Sequence, residues 1–186
     1  MRIALTGAHG VGKTTLARAL AEKLDLPLIT DRARKAAALT GIAQVRELRQ
    51  DKMKATFFQY TVLVQQLAWE AQNPDGFVSD RSVLDLLAYW SAYGLADNHS
   101  YMTLCFNQEY DLLVYVPIEF QLVGDGFRDT ELNFQQRVDY LIRQLFTLAF
   151  SVRKKITVGG ALEERVQAVM DALPGLRRKR RGEKVW

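Results

Sequence analysis

The residues with the clearest chemical pattern lie close to the N-terminus. They match the pattern G-x-x-x-x-G-K-[S/T], which in this chain reads Gly7-Ala8-His9-Gly10-Val11-Gly12-Lys13-Thr14. Glycines in such a segment let backbone N–H groups point inward, and the N-terminus of the following helix adds positive potential. The pattern therefore predicts a loop that binds the phosphates of a nucleotide.

Individual residues of this loop have expected roles. Lys13 is expected to contact the β- and γ-phosphates during catalysis, and the Thr14 hydroxyl to ligate Mg²⁺. His9 either faces an acceptor molecule or belongs to the loop without a catalytic part. The predicted nucleotide-binding residues, with ATP as the phosphate donor, are Gly7, His9, Gly10, Val11, Gly12, Lys13, Thr14 and Thr15.

A second charged motif, Ser79-Asp80-Arg81-Ser82, follows the predicted third strand. Ligands of open α/β sheets collect at the carboxyl ends of the strands, which is where this motif falls. Asp80 is suited to hold Mg²⁺ directly or through water, and Arg81 to bind a phosphate of the substrate with two hydrogen bonds. Both are predicted catalytic residues. The alternative is a structural Asp–Arg pair that caps the next helix.

These motifs resemble those of the nucleoside and nucleotide kinases of the P-loop superfamily, many of which carry Asp/Glu-Arg-Ser after the third strand, as Asp80-Arg81-Ser82 does here. The resemblance implies that Asp31-Arg32-Ala33-Arg34, after the second strand, faces the acceptor. Asp31 would be a general base or an acceptor-binding group, and Arg34 a contact of the acceptor or of a phosphate. A charged helix start is the other interpretation of Asp31, since an acid also suits the helix dipole there.

The segment after the predicted fourth strand resembles a lid. In kinases of this shape the corresponding residues, here 118–130, close over the phosphates. Asp125-Gly126-Phe127-Arg128 is similar to a stretch in the ribosylnicotinamide kinase domain of NadR-like proteins. The resemblance implies that Arg128 stabilises charge on the transferring phosphoryl group. A plain surface charge is the alternative for Arg128, and is the interpretation that we favour for Arg137.

The elements that must position these residues follow from apolar runs that alternate with helix-period segments, a pattern typical of parallel sheets with crossover helices. Amphipathic helices are predicted over 134–148 and 162–173, and a helix over 51–72 either packs between other elements or covers a ligand cleft. The predicted strands are Ile3–Thr6, Leu28–Thr30, Phe77–Ser79, Leu112–Val116 and Ile156–Val158. The expected fold is an α/β P-loop NTPase three-layer sandwich, with five parallel strands and helices on both faces. The resemblance to the kinases implies the strand order 2-3-1-4-5.

Length and charge bound the domain organisation. At 186 residues and 48% hydrophobic, the chain is long enough for one core. We expect one kinase-like domain over residues 1–175 and a basic tail over 176–186. Residues 177–186 hold six Lys and Arg and one Glu, so they carry +5 while the rest of the chain carries −1. Such a tail is either solvated or an electrostatic contact with nucleic acid.

Other features favour a cytoplasmic protein. No apolar run approaches the roughly 20 residues that a membrane span requires, and the first residues show no signal-peptide pattern. The single cysteine, Cys105, excludes a disulfide within the chain and a cysteine zinc cluster.

The function predicted from these patterns is ATP- and Mg²⁺-dependent phosphoryl transfer to a small nucleoside- or nucleotide-like acceptor. One alternative is a kinase that acts on a nucleic-acid end or a modified base in DNA. Another is a regulatory protein that binds or hydrolyses ATP or GTP, which the lack of an Asn-Lys-x-Asp element and of a long Walker B signature disfavours. A homodimer is compatible with the apolar helix and the lid, but no residue pattern requires it.

Overall fold

The strands of the sheet, in a computed structural model of the chain, are β1 (Arg2–Thr6), β2 (Leu28–Ile29), β3 (Phe77–Ser79), β4 (Tyr110–Tyr115) and β5 (Val152–Thr157). The structure describes residues 1–30, 33–120, 131–149 and 152–176. All strand pairs are parallel, and the strand order is β2-β3-β1-β4-β5. Both findings confirm the predicted sheet.

Strand β1 lies at the centre of the sheet. Its residues 3–5 are fully buried, as expected for a parallel strand that is covered on both faces. It pairs with β3 on one side and with β4 on the other, with Ala4 opposite Ser79 and Thr6 opposite Tyr115. Since the strands run in the same direction, the segments that follow β1, β3 and β4 meet at one edge of the sheet.

Helices cover both faces of the sheet. They are α1 (Lys13–Leu24), α2 (Ala33–Thr40), α3 (Lys52–Gln72), α4 (Val83–Ala92), α5 (His99–Phe106), α6 (Leu132–Leu148) and α7 (Leu162–Ala172), with a 3₁₀ helix at Val45–Arg49. Helix α1 packs against α7, whereas α4 packs against α3, α5 and α6. The resulting three layers confirm the predicted architecture. None of the helices in the described ranges is long and apolar enough to cross a membrane.

The last strand begins earlier than the sequence predicts. Three consecutive charged residues, 153–155, precede the predicted start at Ile156, and their side chains are exposed. Strand β5 forms the edge of the sheet and pairs with β4. An edge strand tolerates Lys and Arg, and here the long side chains of Lys154 and Lys155 reach carbonyl oxygens near the ends of α7 and α6. These charged residues interrupt the apolar run on which the prediction of the strand rested.

Helix α3 carries apolar side chains on more than one face. Asp51 caps its N-terminus and accepts a hydrogen bond from the Lys54 N–H at 2.9 Å. Phe58 and Gln59 are buried, while the neighbouring Phe57 is 62% exposed. The buried face of this helix lines a cavity that is described below. This agrees with the interpretation of the helix as the cover of a cleft.

Candidate functional site

The loop between β1 and α1 has the backbone shape of an anion nest. Gly10 and Gly12 have φ angles of 81° and 89°, in the left-handed region that glycine adopts readily. A Cβ at Gly7 would collide with the carbonyl oxygen of Val116, so the loop starts in close contact with the end of β4. Helix α1 begins at Lys13 and directs its positive end toward the loop.

The Lys13 ammonium group folds back over the loop. Its Nζ donates hydrogen bonds to the carbonyl oxygens of Gly7 at 2.5 Å and Ala8 at 2.6 Å. The Oδ1 of Asp85 lies 3.9 Å from Nζ. Because Lys13 is only 8% exposed, its charge is held in a partly desolvated position where it attracts anions more strongly than in water.

Asp85 is a site residue that the sequence analysis missed. It is fully buried, and its Oδ1 accepts a hydrogen bond from the Gly7 N–H at 3.2 Å while its Oδ2 accepts one from the Ser82 N–H at 3.0 Å. These contacts tie the start of the phosphate loop to the start of α4. The spacing of Ser82 and Asp85, a capping box before an apolar run, was a signal that could have found it.

The two predicted Mg²⁺ ligands lie side by side. The Thr14 hydroxyl donates a hydrogen bond to Oδ2 of the buried Asp80 at 2.7 Å. Mg²⁺ prefers oxygen ligands and is usually bound by one or two protein groups together with waters and phosphate oxygens. A hydroxyl and a carboxylate beside the phosphate loop fit this chemistry. Within the described ranges no cluster of three or more His, Cys, Asp or Glu side chains forms another candidate metal site.

Arg81, His9 and Tyr89 form a connected wall next to the loop. The Arg81 guanidinium carbon lies 5.1 Å from the centre of the Tyr89 ring, a cation–π contact. The Tyr89 hydroxyl is 2.8 Å from Nδ1 of His9. The ring of Phe134 packs beside both, with centroid distances of 6.4 Å to His9 and 6.2 Å to Tyr89. This wall joins residues from the loop, the end of β3, α4 and α6.

A buried hydrogen-bond network fixes the end of β3, from which Asp80 extends. Gln66 on α3 donates from Nε2 to Oγ of Ser79 at 2.9 Å and to Oε1 of Glu70 at 2.7 Å. The Tyr110 hydroxyl donates to the same Glu70 oxygen at 3.0 Å. Burial raises the pKa of the Glu70 carboxyl, and the two hydrogen bonds offset part of that effect.

Two cavities meet at the wall. One, of about 220 Å³, follows the phosphate loop and is lined by residues 9–15. The other, of about 310 Å³, is bordered by residues of α2, α3, α4 and α6. Four residues line both cavities: His9, Thr14, Asp80 and Arg81. Molecules bound in the two cavities would therefore approach each other at these side chains.

The larger cavity combines aromatic walls with a buried amide. Its aromatic lining comes from Phe58, Tyr89, Tyr93 and Phe134. Gln59 is 2% exposed, and its Oε1 has no hydrogen-bond partner in the described part of the protein. A buried amide oxygen without a partner has lost the hydrogen bonds that it would make in water, which costs free energy. Aromatic side chains in helices more often belong to a core, so their positions in the sequence did not indicate a cavity lining.

The remaining predicted residues divide between the larger cavity and the undescribed segments. Arg34 lines the larger cavity with its neighbour Ala33. Asp31 and Arg128 lie outside the described residues, as do residues 121–130 of the predicted lid and the tail from residue 177.

The fold and the loop define a P-loop protein with a five-stranded parallel sheet. Residues 2–165 match the family described as "AAA domain", and the chain belongs to that family. Among curated proteins, none matches the sequence significantly.

Solved structures of the deoxyadenosine kinase from M. mycoides are similar in fold. The structure with dCMP and a flexible dCDP has a TM-score of 0.67 at 15% sequence identity, covering 94% of this chain and 99% of that chain. The complexes with dCTP and dATP have TM-scores of 0.64 and 0.65 at 15% and 13% identity, again over 94% of this chain and 99% and 100% of those chains. At this identity the similarity establishes the fold.

Proposed function

We propose that the protein transfers the γ-phosphoryl group of ATP, in the presence of Mg²⁺, to a nucleoside- or nucleotide-like acceptor in the larger cavity, here named the acceptor cavity. The observation that carries this proposal is that four residues, His9, Thr14, Asp80 and Arg81, line both cavities. A donor on the loop and an acceptor in the acceptor cavity would meet there. Holding two reactants next to each other in the right geometry lowers the barrier to the reaction between them.

On the donor side, the N–H groups of the loop and the Lys13 ammonium would bind the β- and γ-phosphates. Thr14 and Asp80 would hold Mg²⁺, which would supply positive charge to offset the negative charge that develops during transfer. Arg81 is buried between the two cavities and carries a positive charge to the place where the phosphoryl group would cross. The loop, Lys13 and Arg81 thus supply electrostatic stabilisation along the path of transfer.

On the acceptor side, the chemistry suits a nucleoside. A planar base would lie against the aromatic side chains, and the Gln59 amide offers one acceptor and two donors to a base edge. Arg34 would contact a phosphate or hydroxyl of the acceptor. A cavity of about 310 Å³ is within the range of small-molecule sites.

Two further roles rest on the sequence motifs. Asp31 is proposed as the general base or as the contact of the acceptor hydroxyl, and Arg128 as the lid cation that reaches the γ-phosphate. The motif Asp125-Gly126-Phe127-Arg128 also motivates placing the protein in the NadR-like group of kinases. The nucleotides named in the M. mycoides kinase complexes, dATP, dCTP and dCMP, support a nucleoside-type acceptor for this fold.

A product assay with labelled ATP tests the proposal. The full chain is incubated with γ-labelled ATP and Mg²⁺ against a panel of nucleosides and nucleoside monophosphates, with an EDTA control and unlabelled GTP as competitor. We expect a labelled product from at least one acceptor, and none with EDTA. ATP hydrolysis that no acceptor stimulates would contradict the kinase and favour a nucleotide-dependent regulator.

A second candidate, a kinase of nucleic-acid ends, is favoured by a neighbouring basic cavity. A cavity of about 320 Å³ is lined by three cations, Arg49, Lys52 and Arg137, and by Glu131, which pairs with Arg49. It shares Tyr93 and Phe134 with the acceptor cavity. Phosphates of a longer acceptor would be attracted to these cations. Adding a 5′-hydroxyl oligonucleotide to the panel, and deleting residues 177–186, tests this candidate. It loses its support if the oligonucleotide stays unlabelled and the deletion leaves DNA binding unchanged.

A further inference from the structure

Two buried polar side chains outside the loop motif hold carbonyl oxygens of the phosphate loop. Gln135 on α6 donates from Nε2 to the carbonyl oxygen of His9 at 2.7 Å. Arg165 on α7 donates from Nη1 to the carbonyl oxygen of Val11 at 2.9 Å. Gln135 is 1% and Arg165 4% exposed, so water competes little for either bond.

The rigidity of the peptide group transmits these contacts to the next residue. In a trans peptide, the C=O of one residue and the N–H of the next lie in one plane and point in opposite directions. The carbonyl held by Gln135 therefore directs the N–H of Gly10 away from α6, and the carbonyl held by Arg165 directs the N–H of Gly12 away from α7. Both glycines line the cavity along the loop.

These two peptide groups need an external anchor because a glycine follows each carbonyl. Gly10 and Gly12 have positive φ angles, and glycine populates positive and negative φ about equally. A peptide group next to glycine therefore rotates more easily than one between residues with side chains. A hydrogen bond to its carbonyl selects one of the accessible orientations.

The guanidinium of Arg165 is itself fixed on three sides. Besides its contact with the loop, Nε donates to the carbonyl oxygen of Gly160 at 2.9 Å, and Nη2 donates to Oε2 of Glu119 at 2.7 Å. Glu119 also accepts a hydrogen bond from the Gly160 N–H at 2.9 Å, which closes the arrangement. A Cβ at Gly12 would lie 3.3 Å from Nη1, tighter than most such contacts, so glycine at this position favours the close approach of the arginine.

We propose that Gln135 and Arg165 are positioning residues that hold the N–H groups of Gly10 and Gly12 in the orientation that binds a polyphosphate. The inference rests on the proposed binding of a nucleotide triphosphate to the loop. Neither side chain acts on the phosphates directly; each acts through one peptide plane. The two residues therefore have separable effects, one on each glycine.

Glycine-selective ¹⁵N NMR of the full chain, titrated with inorganic tripolyphosphate, tests this separation. We compare Gln135→Met and Arg165→Met with wild type and with two exposed controls on α6, Gln136→Met and Arg143→Met. In wild type, the Gly10 and Gly12 amide protons are expected to shift downfield. Gln135→Met should at least halve the Gly10 shift and spare Gly12, and Arg165→Met should do the reverse. Each should weaken tripolyphosphate binding about tenfold, since one N–H to a charged oxygen is misdirected.

The outcomes separate this inference from the proposed function. The proposed function is contradicted if the Gly10 and Gly12 signals of the wild-type chain do not shift on addition of tripolyphosphate and the chain binds no ATP. If the wild-type signals shift and the variants show the same Gly10 and Gly12 shifts as wild type, only the positioning role is overturned. A variant in which the shifts of Gly10 and Gly12 are reduced equally indicates a general loosening of the loop. That result also overturns the positioning role. If Arg165→Met does not fold, Arg165→Lys keeps the charge with one donor group, and an undiminished Gly12 shift in that variant counts against the inference.

Discussion

Thr14 and Asp80 lie 66 positions apart in the chain, and a hydrogen bond of 2.7 Å joins the Thr14 hydroxyl to the Asp80 carboxylate. Thr14 is the second residue of helix α1, and Asp80 directly follows strand β3. Strands β1 and β3 are neighbours in the sheet, so the segments that follow them deliver a hydroxyl and a carboxylate to one point beside the phosphate loop. This pair is the part of the site that we expect to bind Mg²⁺.

The first prediction concerns this pair. Asp80→Asn should raise the Mg²⁺ concentration that gives half-maximal activity by about 10- to 100-fold, since a carboxylate is replaced by a weaker neutral ligand. Mg²⁺ titrations at saturating ATP measure the change, with the exposed Asp97→Asn as the control. An unchanged Mg²⁺ requirement would argue that Asp80 serves only as a partner of Thr14.

Lys13 provides the second prediction. Lys13→Ala should lower kcat/KM by at least about 100-fold, because the charge that stabilises the transferring phosphate is removed. Steady-state kinetics with the best acceptor of the panel measure the loss. Lys23→Ala, an exposed lysine of the same helix, should keep near wild-type activity. Wild-type turnover in Lys13→Ala would rule out the assignment of the loop.

Gln59 provides the third prediction. Gln59→Leu should raise the KM for the acceptor about 10-fold or more while leaving the KM for ATP nearly unchanged, because hydrogen bonds to the acceptor alone are lost. Varying the acceptor at fixed ATP, and then ATP at fixed acceptor, separates the two constants. Gln72→Leu at the exposed end of α3 is the control. An equal rise in both KM values would indicate damage to the fold instead of a contact with the acceptor.

Glu70 provides a prediction about stability. Burial raises its pKa in the folded protein above the ordinary value of 4.5. The folded state therefore binds this proton more tightly than the unfolded state does. The corresponding stabilisation is fully present below about pH 4.5 and is lost as the pH rises through the raised pKa.

Replacing Glu70 by Gln tests this direction of the pH dependence of stability. Glu70→Gln keeps Oε1 as the acceptor for Gln66 and Tyr110 and removes the buried charge. Its Tm should exceed that of wild type at pH 8, and the difference should shrink as the pH falls toward 4.5. Thermal unfolding between pH 4.5 and 8 measures it, with the exposed Glu22→Gln as the control. A Tm difference that does not vary with pH would contradict the assignment.

The sequence predicted the sheet well because its signals are local. Each central strand is a short apolar run, and the loop motif follows β1 at the position where a phosphate-binding loop must lie. Strand β5 began earlier than predicted because the charges at its exposed edge interrupt the apolar pattern. Helix α5 was not predicted, and α2 entered only as one of two interpretations of Asp31, since each spans only eight residues and offers too little periodicity.

The sequence by itself determined the phosphate loop, the charged end of β3 and the alternation of strands and helices that is typical of a parallel sheet, because residues close together in the chain encode them. The tertiary structure alone decided the acceptor cavity and the anchors of the loop. Gln59, Tyr89, Gln135 and Arg165 lie on four different helices, and in the sequence they are indistinguishable from residues of amphipathic faces. Only the packing of those helices around the edge of the sheet brings an amide to the cavity wall and two side-chain donors to the loop carbonyls.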